Sequence, residues 1–256
     1  VADRVLFCAK HRNFQACIDL ACEHGAGIEV QTFAYPTALD TDWKTLVQHY
    51  QQALRHVPGE IAMHGPFMDM ASGSLDPWID QVVRQRVEQA LDIAAELGAV
   101  NVIFHANFIA SMRNIEYRIG WTDRQVTFWG PLAERARELG QVIALENMWE
   151  FDPDIIRDVI TKVDMPSLQA CLDIGHTRLF SEVPARDWIA SLNGHLVHAH
   201  LNNNEGVVDV HHALVDGVLD YKPLLESLRQ LPNPPAFSLE IEQIDDIIRS
   251  LPLLNI

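Results

Sequence analysis

Short runs rich in aliphatic and β-branched residues alternate along this chain with longer segments whose apolar positions recur every three or four residues. The runs cover Val5–Lys10, Ile28–Ala34, Glu60–Phe67, Asn101–Phe108, Val142–Trp149, Gln169–Thr177, Leu196–Asn204 and Ala236–Glu242. Each has the length and composition of a buried strand, and the alternation with helical patterns points to βα units around a parallel sheet. Between them, Asp76-Pro77 sets a capping carboxylate before a proline at the first helical position. Ile79, Val83, Val87, Ala90, Leu91 and Ala94 follow at helical spacing until Gly98. Asp152-Pro153 repeats that start ahead of Ile155, Ile156 and Val159. Trp43, Leu46, Val47, Tyr50 and Leu54 form another stripe, ended by Pro58-Gly59, and Tyr221 to Leu231 carries Pro223 in its first turn. Between the fourth and fifth runs, Pro131 is expected to kink or start a helix.

No composition break or linker divides the chain, so residues 1–256 read as one domain. Eight strands alternating with helices close most economically as a single (β/α)₈ TIM barrel, with an open doubly wound sheet as the alternative. A dinucleotide-binding sheet would want a glycine-rich turn after its first strand, and Cys8-Ala9-Lys10-His11-Arg12 is not one.

The length of 256 residues suits such a barrel, and 48% hydrophobic residues supply its core. Acidic residues number 35 against 19 Lys and Arg, a formal charge of −16. That balance argues against nucleic acid or an anionic membrane as partner and for a small-molecule substrate; it leaves the oligomeric state open. Cys8, Cys17, Cys22 and Cys171 show no paired spacing and sit in apolar surroundings, so all four are expected to be small buried hydrophobes in a reducing compartment. No apolar run is long enough to span a bilayer and no leader pattern opens the sequence, so a cytoplasmic location is expected.

Five of the twelve histidines and four carboxylates fall at or just past the ends of the runs: His64, His105, Glu146, Asp173, His176, His200, Asp209, His211 and Glu240. Intervals of 41, 41, 27, 27 and 40 residues separate His64, His105, Glu146, Asp173, His200 and Glu240. Each interval is about one βα unit, which sets one polar residue per strand at one height in a barrel. Strand C-termini of this fold converge on a single mouth, where its active sites lie. Imidazole and carboxylate together suit a divalent metal, zinc first and manganese as the alternative. Lone strand-end histidines such as His64 and His105 are more often structural, but Glu146 and Glu240 lie in tight apolar strands, where an unpaired charge is costly. His24, His49 and His56 are expected at the surface, and His195, His198 and His212 in structural roles; His11 is an even choice between substrate contact and no role.

At these residues the sequence resembles the xylose-isomerase-like TIM-barrel superfamily, which includes sugar isomerases and epimerases, inosose dehydratases and endonuclease IV. The resemblance runs from about the third strand to the eighth. It rests on His64-Gly-Pro-Phe67, Phe104-His105, Leu145-Glu146-Asn147, Leu172-Asp173-Ile-Gly-His176, His198-Ala-His200-Leu201-Asn202 and Leu239-Glu240. It implies a metal site of Glu146, Asp173, His200 and Glu240. The endonuclease branch adds His64 and His105, then His176 with Asp209 and His211, a set of up to three zinc ions bridged by Glu146. An isomerase would use Glu146 and Glu240 as catalytic proton carriers; a phosphoester hydrolase would use the clustered ions. The charge and the lack of basic loops argue against duplex DNA. The arginine that many sugar epimerases carry after the seventh-strand histidine is absent, since Leu201-Asn202-Asn203-Asn204 follows His200. The favoured reading is isomerisation or epimerisation of a sugar or sugar phosphate, with phosphoester hydrolysis on a small substrate as the alternative.

For substrate contacts the candidates are Trp149, placed to cover the apolar face of a sugar, and Asn147, Asn202 and Asn204, able to bond hydroxyls. The stretch from Asn107 to Thr122 reads as a long loop carrying Arg113, Tyr117, Arg118 and Trp121, where an anionic group could bind, with Arg178 as a rival.

Overall fold

In the computed structural model, which describes residues 2–40 and 42–256, eight parallel strands close into one barrel in sequence order. They are β1 (Val5–Ala9), β2 (Gly27–Val30), β3 (Ile61–His64), β4 (Asn101–His105), β5 (Val142–Glu146), β6 (Leu168–Asp173), β7 (Leu196–Leu201) and β8 (Ala236–Leu239). Around them run α1 (Phe14–His24), α2 (Pro36–Asp40), α3 (Trp43–Leu54), α4 (Pro77–Leu97), α5 (Ile115–Glu138), α6 (Asp154–Val163), α7 (Ile174–Phe180), α8 (Ala185–Ser191), α9 (Tyr221–Arg229) and α10 (Ile244–Ser250). The open-sheet alternative is thereby excluded. Among the described residues no helix is long and apolar enough to cross a membrane.

Every strand stops short of the apolar run that announced it. The run Ile28–Ala34 ends as a strand at Val30 and continues as a 3₁₀ turn, Thr32–Ala34, while Gln169–Thr177 changes from strand to helix after Asp173. Phe33, Ala106, Phe108 and Ile174, just past the strands, are as buried as the strands themselves. Burial continues past the last ladder hydrogen bond, so hydrophobicity alone does not mark the boundary.

The helix starts follow local chemistry. Asp76 accepts from Trp78 N at 2.8 Å to open α4, and Gly98, at φ +76°, closes it. Asp152 accepts from Asp154 N and Ile155 N ahead of α6. The expected long loop after β4 is a short one, because α5 already starts at Ile115, with Asn114 accepting from Tyr117 N. Tyr117, Arg118 and Trp121 therefore sit on a helix. Pro131 neither starts nor ends α5 but lies inside it. Arg84 of α4 donates to Phe128 O in the adjoining turn, where proline disturbs the helical ladder.

Two apolar regions result. The larger lies between strands and helices, with Trp129, Trp188, Tyr50, Tyr221, Phe7 and Phe237 fully buried; burial of a side chain of that size stabilises by roughly 1.5–3 kcal/mol. The smaller is a plug inside the barrel made of Leu6, Ala62, Ile103, Ala144, Cys171 and Ala236. Cys8 and Cys17 are buried too, but Cys22 is exposed, contrary to expectation: it lies on the outer face of α1, its Sγ against His56 O. The two chain ends are tied together by Arg229, which donates to both oxygens of Asp3, while Asp3 also accepts from Asn255 N.

Candidate metal centre

Strand alternation builds the site directly on the plug. Successive side chains point to opposite faces, so residues two apart share one. Ala62, Ile103, Ala144 and Cys171 of the plug are each followed two positions later by His64, His105, Glu146 and Asp173. Barrel register sets His105 beside Glu146 and Asp173 beside His200. Glu240 follows the last residue of β8, while His176 lies in the first turn of α7 rather than on an extended strand end.

Glu146, 1% exposed, is the hub. Its Oε2 lies 3.2 Å from His64 Nε2 and 3.3 Å from His105 Nε2; its Oε1 lies 3.1 Å from His200 Nδ1 and 3.5 Å from His176 Nδ1. His200 Nδ1 is also 3.3 Å from Glu240 Oε2. Outside this core, Asp209 stands 3.5 Å from His176 Nε2 and 3.3 Å from His211 Nε2. Asp209 and His211 occupy an irregular connection, residues 202–220, and face the same point. Asn203 clamps that connection: its Nδ2 donates to Leu214 O and Leu219 O, and its Oδ1 accepts from Leu219 N.

The nine residues thus fall into three groups, each with one ligand atom per side chain and all atoms of a group within 4.8 Å of one another. They are His64, His105 and Glu146; Glu146, Asp173, His200 and Glu240; and His176, Asp209 and His211. Two observations fit a cation. Glu146 Oε1, His200 Nδ1 and Glu240 Oε2 are buried without a hydrogen-bond partner, which is costly unless something else is bound there. Three of the histidines also have a fixed tautomer. Nδ1 of His64, His176 and His211 donates to the carbonyls of Gly65, Asn147 and Glu240, leaving Nε2 for another partner.

Without a cation, protons offset the carboxylates. Burial would lower the His176 pKa, but Asp173 and Asp209 outweigh it and bring it to about 10. His211 is likewise raised to about 9, burial being outweighed by Glu240 and Asp209. Burial would raise Glu146, yet His200 and His105 hold it well below the carboxylate range, whereas burial lifts Asp173 to about 6 against the pull of His176.

Two cavities open over these groups. One of about 150 Å³ is lined by His64, His105, Glu146 and His176 beneath Tyr35, Phe67 and Met148. A larger one, about 380 Å³, shares Lys10, Gln31, Asp209, His211 and Glu240 with the first and extends to Glu242 and Asp246. Phe67 stacks on His105 at 4.7 Å between ring centroids. The aromatic residues at the cavity are thus Phe67, which ends the motif His64-Gly-Pro-Phe67 but was not among the expected substrate contacts, and Tyr35; Trp149 lines a separate outer cavity with Phe108 and Phe180.

The remaining candidate contacts are engaged by the protein itself. Asn147 bridges β5 to β6 through both the N–H and the carbonyl of Asp173. Asn202 Nδ2 donates to Asp173 Oδ2, with Gly175 so close that a Cβ there would meet Asn202 Oδ1 at 2.0 Å. Asn204 holds Gly175 O and Gly206 N. Arg113 pairs with Glu182 and stacks on Phe151, and Arg118 pairs with Asp152. Neither arginine, nor the exposed Arg178, lines the two mouth cavities. Of the other histidines, His11 bonds Tyr50 OH, and His198, fully buried, bonds Glu29. Glu29, Gln31 and Glu150 were not anticipated. Glu150 accepts from Phe108 N and Met148 N, fixing the loops after β4 and β5.

Comparison with known proteins agrees with the barrel fold. An uncharacterized protein of Methanocaldococcus jannaschii, MJ1311, is 25% identical over 204 residues, covering 77% of this chain and 69% of that protein. The structure of TTHB071 from Thermus thermophilus, soaked with ZnCl₂, superposes with a TM-score of 0.81 at 29% identity, covering 97% of this chain and 95% of that one. A D-tagatose 3-epimerase-like protein superposes with a TM-score of 0.80 at 20% identity, over 98% of this chain and 95% of that one. The profile of the xylose isomerase-like TIM barrel family matches residues 12–254, and the chain belongs to that family.

Proposed function

We propose that the protein is a divalent-metal-dependent isomerase or epimerase of a small polyhydroxylated substrate, a sugar or sugar phosphate. The observation that carries this reading is the pair of carboxylates on either side of His200 Nδ1. Glu146 Oε1 and Glu240 Oε2 lie 3.1 and 3.3 Å from it, both without hydrogen-bond partners and both facing a cavity. Glu146, Asp173, His200 and Glu240 would hold the ion, zinc in first place and manganese in second. When bound, an ion there would polarise a substrate carbonyl and so acidify the C–H of the neighbouring hydroxyl-bearing carbon. One of the two groups, entering as carboxylate, would take that proton, and the other, entering protonated, would give one to the opposite face of the same carbon (epimerisation); in isomerisation the proton would go to the former carbonyl carbon while the hydroxyl proton moves to the carbonyl oxygen. Tyr35, Phe67 and Met148 supply apolar walls to the cavity at the reacting centre. The epimerase-like protein of the same fold supports this choice. The formal charge of −16 favours a small substrate over nucleic acid.

One observation favours a second reading, phosphoester hydrolysis by a multi-ion centre: His176, Asp209 and His211 converge on a point beside the other two groups. Single-ion proton transfer has no use for that third set. Incubation with ketoses and ketose phosphates in D₂O separates the two readings. The proposal expects deuterium at the carbon next to the carbonyl, lost in Glu146→Gln and Glu240→Gln. Turnover of phosphoesters with no exchange into any sugar would reverse the ranking, and salt-sensitive micromolar binding of abasic duplex would contradict the small-substrate assignment.

A further inference from the structure

Strand β2 supplies none of the nine groups, yet it carries a carboxylate that is 0% exposed, Glu29. Glu29 lines neither mouth cavity and so meets no substrate. Its Oε2 accepts from His198 Nε2 at 2.9 Å, His200 Nε2 at 3.0 Å and Ser238 Oγ at 2.6 Å. Its Oε1 lies 3.2 Å from His200 Nε2 and accepts from Gln31 Nε2 at 3.4 Å. Among the described residues its ionic partners are these two histidines, with no Lys or Arg. Two residues along the same face, Gln31 donates to Glu240 Oε1 at 2.7 Å. Strand β2 and the residue that follows it, like β1 without a candidate ligand of their own, thus touch two of the candidate ligands from behind.

We infer that Glu29 is a positioning residue: it keeps the proton of His200 on Nε2, so that Nδ1 presents its lone pair to the point shared by Glu146 and Glu240. The inference rests on the reading of His200 as a metal ligand. A neutral imidazole carries one proton on either nitrogen, and only the partner of one nitrogen decides which is bare. At His200, Nδ1 is the buried atom without a hydrogen-bond partner, and Nε2 is the one held by the carboxylate. A carboxylate behind a ligating histidine orients the ring and raises its basicity toward the ion. Packing offers no competing reason for Glu29, since the interior plug just below is made of Ala, Leu, Ile and Cys.

The test measures Zn²⁺ affinity by competition with a chromophoric chelator for wild type, Glu29→Gln, His200→Ala and the double variant. Glu29→Gln is expected to bind Zn²⁺ about 10–100-fold more weakly. In the double variant the loss should match that of His200→Ala to within about twofold, because Glu29 acts through His200. Losses that multiply would assign Glu29 a general structural role and overturn the inference, as would wild-type affinity in Glu29→Gln beside weakened binding in His200→Ala. Wild-type affinity in His200→Ala would instead remove the metal reading on which both rest. A wild-type measurement covers the case in which Glu29→Gln does not fold. Nitrogen-15 spectra of the Zn²⁺-loaded protein should show an imidazole protonated on Nε2 that is missing from His200→Ala. A proton on Nδ1 of that ring would overturn the inference.

Discussion

The plug and the mouth of the barrel are built from the same strands, two residues apart, and differ in almost every physical respect. At the plug, Ala62, Ile103, Ala144 and Cys171 fill the interior with small apolar side chains. One step up the same faces, His64, His105, Glu146 and Asp173 bring together imidazoles and carboxylates, with buried atoms that no protein group satisfies. The lower layer is apolar throughout. The upper one is held in place by what lies beneath and behind it: the asparagines around Asp173, the carbonyls behind three histidines, and Glu29 behind His200. Stability and chemistry are thus separated by a single period of a strand.

The largest expected effect comes from removing the hub. Glu146→Ala should lower Zn²⁺ affinity by more than about 100-fold, beyond what loss of a supporting residue does, and abolish turnover while far-UV circular dichroism stays that of wild type. Moving the polar layer down one step should instead damage the fold: Ala144→Asp buries a carboxylate among apolar plug residues. A loss of about 3–5 kcal/mol in urea unfolding is expected, and wild-type stability would show the plug to be hydrated. Chelation should leave the barrel folded, because the core is apolar and independent of the mouth; a fall in Tm of up to about 10 °C is expected from loss of ligand linkage. Unfolding at room temperature on chelation would erase the distinction between the two layers.

The smallest effect lies outside both layers, where the chain ends meet. Burial would raise the Asp3 carboxyl, but hydrogen bonds from Arg229 and Asn255 N–H outweigh it and hold its pKa below the ordinary value. A carboxyl depressed in the folded state stabilises above its unfolded pKa, and that contribution disappears as pH falls through the folded one. Asp3→Asn should therefore cost about 1–2 kcal/mol at pH 7, a difference that shrinks below about pH 4. A difference independent of pH would mean that the pair contributes through packing alone.

The contrast between layers also explains what was legible in the sequence. The eight apolar runs made the strands legible, and six ligand-type residues at intervals of about one βα unit made the common height of the strand ends legible. Glu29 and Gln31 did not stand out, because Ile28-Glu29-Val30-Gln31 alternates apolar with polar, the pattern of a strand with one wet face. Inside a closed barrel that second face is the interior, so both residues are buried. The start of α5 was hidden for a related reason: Ile115, Tyr117, Ile119 and Trp121 alternate with Glu116, Arg118 and Gly120, a period of two rather than that of a helix. Tyr35 and Phe67 lie 32 positions apart in the sequence, and only the closing of the barrel brings them to the same cavity.

The claim at the centre of this account is that the mouth holds a divalent ion through Glu146. Elemental analysis of wild type and Glu146→Ala, each equilibrated with Zn²⁺ and freed of unbound metal, tests it without any assumption about the substrate. At least one ion per wild-type chain is expected, with depletion in the variant. Equal metal in both proteins, or none in wild type, would contradict the account.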